Sequence, residues 1–132
     1  MIKITDITKT YDDGKVQVKA VRGVSLQIEK GEFTAIVGPS GSGKTTLLNV
    51  IGGLDTPTTG KVLIGEQDIS QLSDNELIDF RLHHIGFVFQ SYNLIPVLTA
   101  KENVEFLMLL QKRDEAYRNE RANQLLEAVG LA

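Results

Sequence analysis

The sequence predicts an α/β protein, with antiparallel strands in its N-terminal part and helices dominating its last third. Three observations predict it. Apolar and polar residues alternate before residue 29; a continuous apolar run passes through a glycine-rich turn into an apolar run of helical period between Ile36 and Gly53; and two capping-box spacings open helical patterns at Ser73 and Thr99.

Taken in order, Ile2 and Ile4 alternate with polar neighbours, TKTYDDGK supplies turn residues, and Val16 and Val18 resume the period of two expected of an antiparallel pair. Val24, Leu26 and Ile28 alternate again. After the turn EKGE, FTAIV is continuously apolar up to Gly38, as a strand buried on both faces would be. From Lys44, residues Leu47, Leu48, Val50 and Ile51 recur at helical spacing until Gly52 and Gly53 stop the helix. Pro57 and Gly60 mark a loop, VLI a short strand, and Glu66 a turn residue. Ser73 to Glu76, SDNE, should then open a helix running to about His83, with His83 and His84 as helix-end residues favourable to the dipole. IGFVFQ is a second candidate for a buried strand. A loop, SYNLIPVL, leads to the capping spacing at Thr99 to Glu102 and a helix with Val104, Leu107 and Leu110 on one face. A last helix is expected from about Asp114 to Val129, closed by Gly130.

The 132 residues are the length of one ordinary domain, and 42% hydrophobic with 23% charged residues argues for a buried core and against disorder. Fourteen basic against seventeen acidic side chains, a net charge of -3 and no run of like charges argue against a nucleic-acid partner. With no cysteine there are no disulfides and no Cys-ligated metal site, which fits a reducing compartment without proving one. No apolar run approaches the roughly 18 residues that cross a bilayer, and MIKITDITKT lacks the basic-then-apolar order of a signal peptide, so the expected location is the cytosol.

The chemistry is concentrated in GPSGSGKTT, Gly38 to Thr46. Glycines at a strand-to-helix bend let successive backbone N–H groups converge at the positive end of the helix dipole, a cradle for phosphate oxygens that larger side chains would obstruct. The spacing Gly38, four residues, Gly43, Lys44, Thr45 satisfies the P-loop pattern G-x-x-x-x-G-K-[ST]. Lys44 can then reach the outer phosphates, and the Thr45 hydroxyl can ligate Mg²⁺, so the implied ligand is a nucleoside triphosphate with magnesium. The downstream patterns D-x-x-G and N-K-x-D of a GTPase are missing. Arg113, Arg118 and Arg121, which a small-molecule kinase would need as lid arginines, read instead as the exposed face of a helix.

Beyond this motif, the chain resembles the nucleotide-binding subunits of ABC transporters along its whole length. Tyr11 precedes the loop as an aromatic, GPSGSGKTTLLNVIGGLDTPTTG covers the Walker A region, IGFVFQ sets Gln90 where that family has its Q-loop glutamine, and LTAKENV resembles the segment opening its helical subdomain. RLHHIGFVFQSYNLIPVLTAKENV is most similar to the subgroup serving lipoprotein-release and macrolide-export systems. The resemblance implies a P-loop NTPase sheet core over residues 1–90, incomplete at its C-terminal side, and the start of an α-helical subdomain over residues 91–132, together one partial nucleotide-binding domain. It implies that Gly38, Pro39, Ser40, Gly41, Ser42, Gly43, Lys44, Thr45 and Thr46 cradle ATP, that Tyr11 stacks on the adenine with Val18 lining the same edge, and that Gln90 joins Thr45 on Mg²⁺. Gln90 would also position the attacking water, acting with Lys44 in catalysis, and relay nucleotide state to a transmembrane permease subunit docked around Gln90 to Glu102. By composition alone, Tyr11 also fits a turn-flanking surface aromatic, Gln90 a polar strand end, and the apolar stretch Tyr92 to Leu98 a self-contained core loop as well as a docking surface.

The family's LSGGQ signature, its acid-terminated Walker B strand and its switch histidine are missing, and the chain stops at VGLA, about where the family continues toward that signature. The expectation is therefore the first half of an ATPase subunit, peripheral on the inner face of the cell membrane. It would bind MgATP with little or no hydrolysis alone and pair with a second nucleotide-binding subunit only in the complete protein. A non-catalytic nucleotide-binding or partner-docking module remains the alternative. Missing core strands would leave apolar edges that favour association.

Overall fold

The computed structural model describes residues 1–131, which fall into two compact units, Met1–Arg81 and the residues from Leu82 onward. In the first unit, strands β1 (Ile2–Asp12), β2 (Gln17–Ile28), β3 (Thr59–Ile64) and β4 (Gln67–Asp68) form one antiparallel sheet in the order β2-β1-β3-β4. Helix α1 (Lys44–Ile51) buries Leu47, Val50 and Ile51 into the core with Ile4, Ile7, Val21, Val62, Ile69 and Leu77. Helix α2 (Asp74–His84) supplies Leu77. The α/β class and the antiparallel N-terminal portion agree with the sequence.

The β1–β2 hairpin is longer than TKTYDDGK suggests, because β1 continues to Asp12 and only residues 13–16 turn. Asp12 and Asp13 are what make so short a turn: their carboxylates accept from the N–H groups of Gly14 (2.9 Å), Lys15 (3.0 Å) and Val16 (2.8 Å). The simple alternation also breaks within β1, where Ile4 and Ile7, three apart, are both buried. A bulge makes this possible: the register shifts between them, Asp6 takes φ 47°, and its N–H donates to Ser25 Oγ at 2.8 Å.

Two expected buried strands do not form. FTAIV and IGFVFQ are irregular, with Phe33 99% and Val88 103% exposed, and only Ile36 of FTAIV packs against the core. An apolar run becomes a strand only when a neighbour takes its backbone hydrogen bonds, and no described strand pairs with either segment. Conversely β4 and the short 3-10 turn Ile69–Gln71 after it were not anticipated; Gly65 and Glu66 form the turn that leads into them.

In the second unit, helix α3 (Ala100–Leu110) packs on helix α4 (Glu115–Ala128). Lys101 Nζ donates to Asn119 Oδ1 at 2.9 Å, and Arg118 lies 4.0 Å from the Glu105 carboxylate. The side of α3 facing α4 is thus the Lys101/Glu105 side, while Leu107 and Leu110 of the expected apolar face are exposed and Val104 is half-buried. Helix ends follow the sequence closely. Thr99 and Glu102 form a complete capping box, and α4 ends in a Schellman motif, with Gly130 at φ 75° donating to Glu127 O and Leu131 N donating to Leu126 O. Arg118 and Arg121 lie on α4, but Arg113 sits in the turn before it.

Candidate functional site

The glycine-rich turn leaves the half-buried Ile36 and enters α1 at Lys44. Gly41 and Gly43 take φ 78° and 88°, a left-handed backbone open to glycine, and Ser42 N donates to Pro39 O at 3.3 Å. Gly43 is the N-cap of α1 and brings no side chain to satisfy the first-turn N–H groups, so the helix begins on bare amides. Gly43 is required by space as well as by angle, and Gly38, at an ordinary φ, is crowded only by a side-chain tip. A Cβ on Gly43 would lie 2.3 Å from the Ala20 carbonyl oxygen of β2, and one on Gly38 would lie 2.9 Å from Ser42 Oγ.

Lys44 folds back over the turn, its Nζ donating to the carbonyls of Gly38 (2.9 Å) and Pro39 (2.7 Å). A cleft of about 500 Å³ opens beside the loop. Lys19, Arg22 and Lys44 contribute to its lining and no carboxylate does, so the field in it favours an anion. Thr45 is exposed, Thr46 half-buried, and Pro39 and Ser40 exposed. Among the described residues no group of three or more His, Cys, Asp or Glu side chains is placed to hold a metal ion. The exposed Thr45 hydroxyl is an oxygen donor of the kind Mg²⁺ accepts alongside phosphate oxygens.

Tyr11 and Val18 are direct cross-strand partners of the β1–β2 pair and therefore share one face of the sheet, both exposed. The Tyr11 hydroxyl donates to Asp55 Oδ2 at 2.7 Å. That bond, with burial, raises the phenol above its ordinary pKa against a smaller opposing pull from the Thr46 hydroxyl. Asp55 in turn is raised by burial, but the hydrogen bonds from Lys9 and Tyr11, the Lys9 charge and the Thr56 N–H outweigh this and hold its carboxyl below the usual range. Sequence reasoning missed Lys9, Asp55, Lys19 and Arg22. Lys9 and Asp55 are 46 residues apart, so no local pattern could join them; Lys9 at two residues before Tyr11 on a strand was the only available signal.

Gln90 belongs to the second unit, exposed in a bend after the irregular Ile85–Phe89 segment. Beyond it Tyr92, Leu94 and Val97 are exposed, yet the backbone that follows is tied down. Asn103 of α3 accepts from Ile95 N–H at 2.8 Å and donates to the carbonyls of Ile95, Leu98 and Thr99.

Comparison with known proteins gives the same family from three directions. The family model described as ABC transporter matches residues 21–132. An uncharacterized ABC transporter ATP-binding protein of Thermotoga maritima is 51% identical over 99% of the chain and 56% of its own length. A lipoprotein-releasing system ATP-binding protein, LolD 1, of Rhodopseudomonas palustris is 47% identical over the full chain and 59% of its own length. Among solved structures, the dimeric ATP-binding cassette MJ0796 bound to ADP and Pi, a protein of Methanocaldococcus jannaschii, is 47% identical with a TM-score of 0.89, covering 96% of this chain and 56% of that one. The chain spans about half the length of these relatives.

Proposed function

The chain belongs to the ABC transporter family, and from that premise we propose that it binds MgATP as part of an ATPase subunit that couples nucleotide binding and hydrolysis to export or release of a substrate. The observation that carries this reading is the glycine-rich turn with Lys44 folded over it, entering α1 on amides without a side-chain cap; the cleft beside it sets Lys19, Arg22 and Lys44 among apolar side chains such as Val24, Ile36 and Leu47, with no carboxylate. In this reading Lys44 exchanges the carbonyls of Gly38 and Pro39 for the outer phosphates, the amides of the turn hold phosphate oxygens, and Tyr11 with Val18 forms the platform for the adenine. Thr45 would supply an oxygen ligand to Mg²⁺, whose charge would offset that of the phosphates. Gln90 to Glu102 docks a transmembrane permease, which the outward Tyr92, Leu94 and Val97 on an ordered backbone support. A second nucleotide-binding subunit completes the working assembly, at the cytoplasmic face of the membrane. No helix among the described residues is long and apolar enough to cross a membrane.

Phosphoryl transfer to water needs a positioned base as well as a charged cradle. With no carboxylate lining the cleft, we assign to these residues binding with little turnover, and this same observation favours the second reading, a nucleotide-binding module without catalysis. Titration with MgATP beside a phosphate-release assay tests both. Saturable binding that Lys44→Ala weakens by at least about tenfold, with release near background, is the expected result; no saturable signal, or one indifferent to Lys44→Ala, overturns the ATP reading, and rapid release overturns the assignment of low turnover.

A further inference from the structure

The Tyr11 side chain is held by a network that phosphate binding leaves unexplained. Asp55, at the loop between α1 and β3, uses both carboxylate oxygens: Oδ2 accepts the Tyr11 hydroxyl at 2.7 Å and Oδ1 accepts Lys9 Nζ at 2.6 Å. Lys9 Nζ also donates to the Thr56 carbonyl at 2.8 Å and sits 4.9 Å from the centre of the Tyr11 ring. The two charged side chains are 12% and 26% exposed, so the pair is only partly screened by water, unlike an ordinary surface pair. A tyrosine near the tip of an exposed hairpin would otherwise sample several rotamers. Here its hydroxyl is anchored at one end and its ring covered on one face by an ammonium.

We infer that Lys9 and Asp55 are positioning residues that fix the Tyr11 ring as a one-sided stacking platform for the nucleobase. The inference rests on the reading that the Gly38–Thr46 turn binds the triphosphate and that Tyr11 borders the base. Three geometric facts carry it. The ammonium sits over one π-face, and the side chain keeps 43% of its surface exposed, which a planar ligand can use. The hydroxyl, committed to Asp55, fixes the direction of the side chain while the ammonium over the ring favours one ring plane, which removes part of the ordering cost of binding. Finally, Asp55 lies in the loop that follows α1, so the platform is tied through it to the helix that begins at the glycine-rich turn.

The test separates base from phosphate by using MgATP and magnesium tripolyphosphate, which has no base, as paired probes on the full chain. Lys9→Met keeps the aliphatic stem and removes the charge; Asp55→Asn keeps an acceptor; Tyr11→Phe keeps the ring and removes the anchor. Each should weaken MgATP by about threefold to tenfold and leave tripolyphosphate unchanged, an outcome that also shows the cradle is intact. In a Tyr11→Ala background, Lys9→Met and Asp55→Asn should have no further effect on MgATP, because both act through the ring. Additive losses in that background, equal losses for both probes, or unchanged MgATP affinity in all three variants would overturn the clamp while wild-type binding remains sensitive to Lys44→Ala. Failure of both probes to bind the wild-type chain would instead overturn the nucleotide reading, and the clamp with it.

Discussion

Gly43 and Gly41 carry the same backbone signature and opposite surroundings, which makes them a clean pair of residues. Both hold φ near the left-handed region, at 88° and 78°, so alanine at either position is strained by about 1–2 kcal/mol. A Cβ at Gly41 would meet nothing within 4 Å, whereas at Gly43 it would press on the Ala20 carbonyl at 2.3 Å. That carbonyl belongs to β2, whose neighbour Val21 pairs with Lys9 of β1, so it cannot retreat without disturbing the ladder. Gly41→Ala should therefore cost about 1 kcal/mol in urea unfolding and Gly43→Ala at least about twice that; equal costs would mean that the turn does not press on β2. Asp55 gives a second residue-scale expectation. Its folded pKa is lowered, so its contribution to stability is present above the unfolded carboxyl pKa and lost as pH falls through the folded value. The stability gap between wild type and Asp55→Asn should accordingly be constant near neutrality and shrink below about pH 4, read from urea midpoints across that range. A gap that widens on acidification would contradict the assigned direction.

At the scale of elements, helix ends have local chemistry and strands do not, and this divides what the sequence made legible from what it hid. Thr99 and Glu102 bond reciprocally, with Thr99 N–H and hydroxyl both reaching Glu102 Oε2 (2.7 and 2.8 Å), and everything needed lies within four residues. At Ser73 the N–H and hydroxyl likewise donate to Glu76 Oε2, at 2.9 and 2.6 Å. Thr99→Ala should destabilise α3 by about 1 kcal/mol and Thr99→Ser should restore most of it, read from amide exchange within Ala100–Leu110; no change on Thr99→Ala would mean that packing alone sets the helix start. By contrast, whether FTAIV or IGFVFQ is a strand depends on a partner elsewhere, which their composition cannot supply. The bulge that buries both Ile4 and Ile7 depends on Ser25, nineteen residues away from Asp6. The candidate site divides in the same way. Its glycine-rich turn is a nine-residue pattern that can be read directly, while the Lys9–Asp55 pair and the place of Lys19 and Arg22 beside that turn become visible only in the fold.

At the largest scale, several apolar side chains among the described residues of this chain face water. Phe33 (99%), Val37 (85%), Val88 (103%), Tyr92 (90%) and Val97 (88%) are exposed almost as fully as in an extended chain, far beyond the scattered single apolar residues of a typical surface. Phe33–Val37 and Ile85–Phe89 also present backbone that no described strand pairs with, so association would satisfy backbone hydrogen bonds and bury apolar area together. Each large side chain buried on association would contribute about 1.5–3 kcal/mol before ordering costs, so several must be buried together before chains associate at micromolar concentration. Sedimentation over a concentration series should therefore show species larger than a monomer, and replacing Phe33 and Val88 by serine should shift the distribution toward monomer with little loss of folding stability, since neither side chain is buried in this structure. A monodisperse monomer for the wild-type chain, or a serine pair that unfolds it, would mean that these segments are covered in solution.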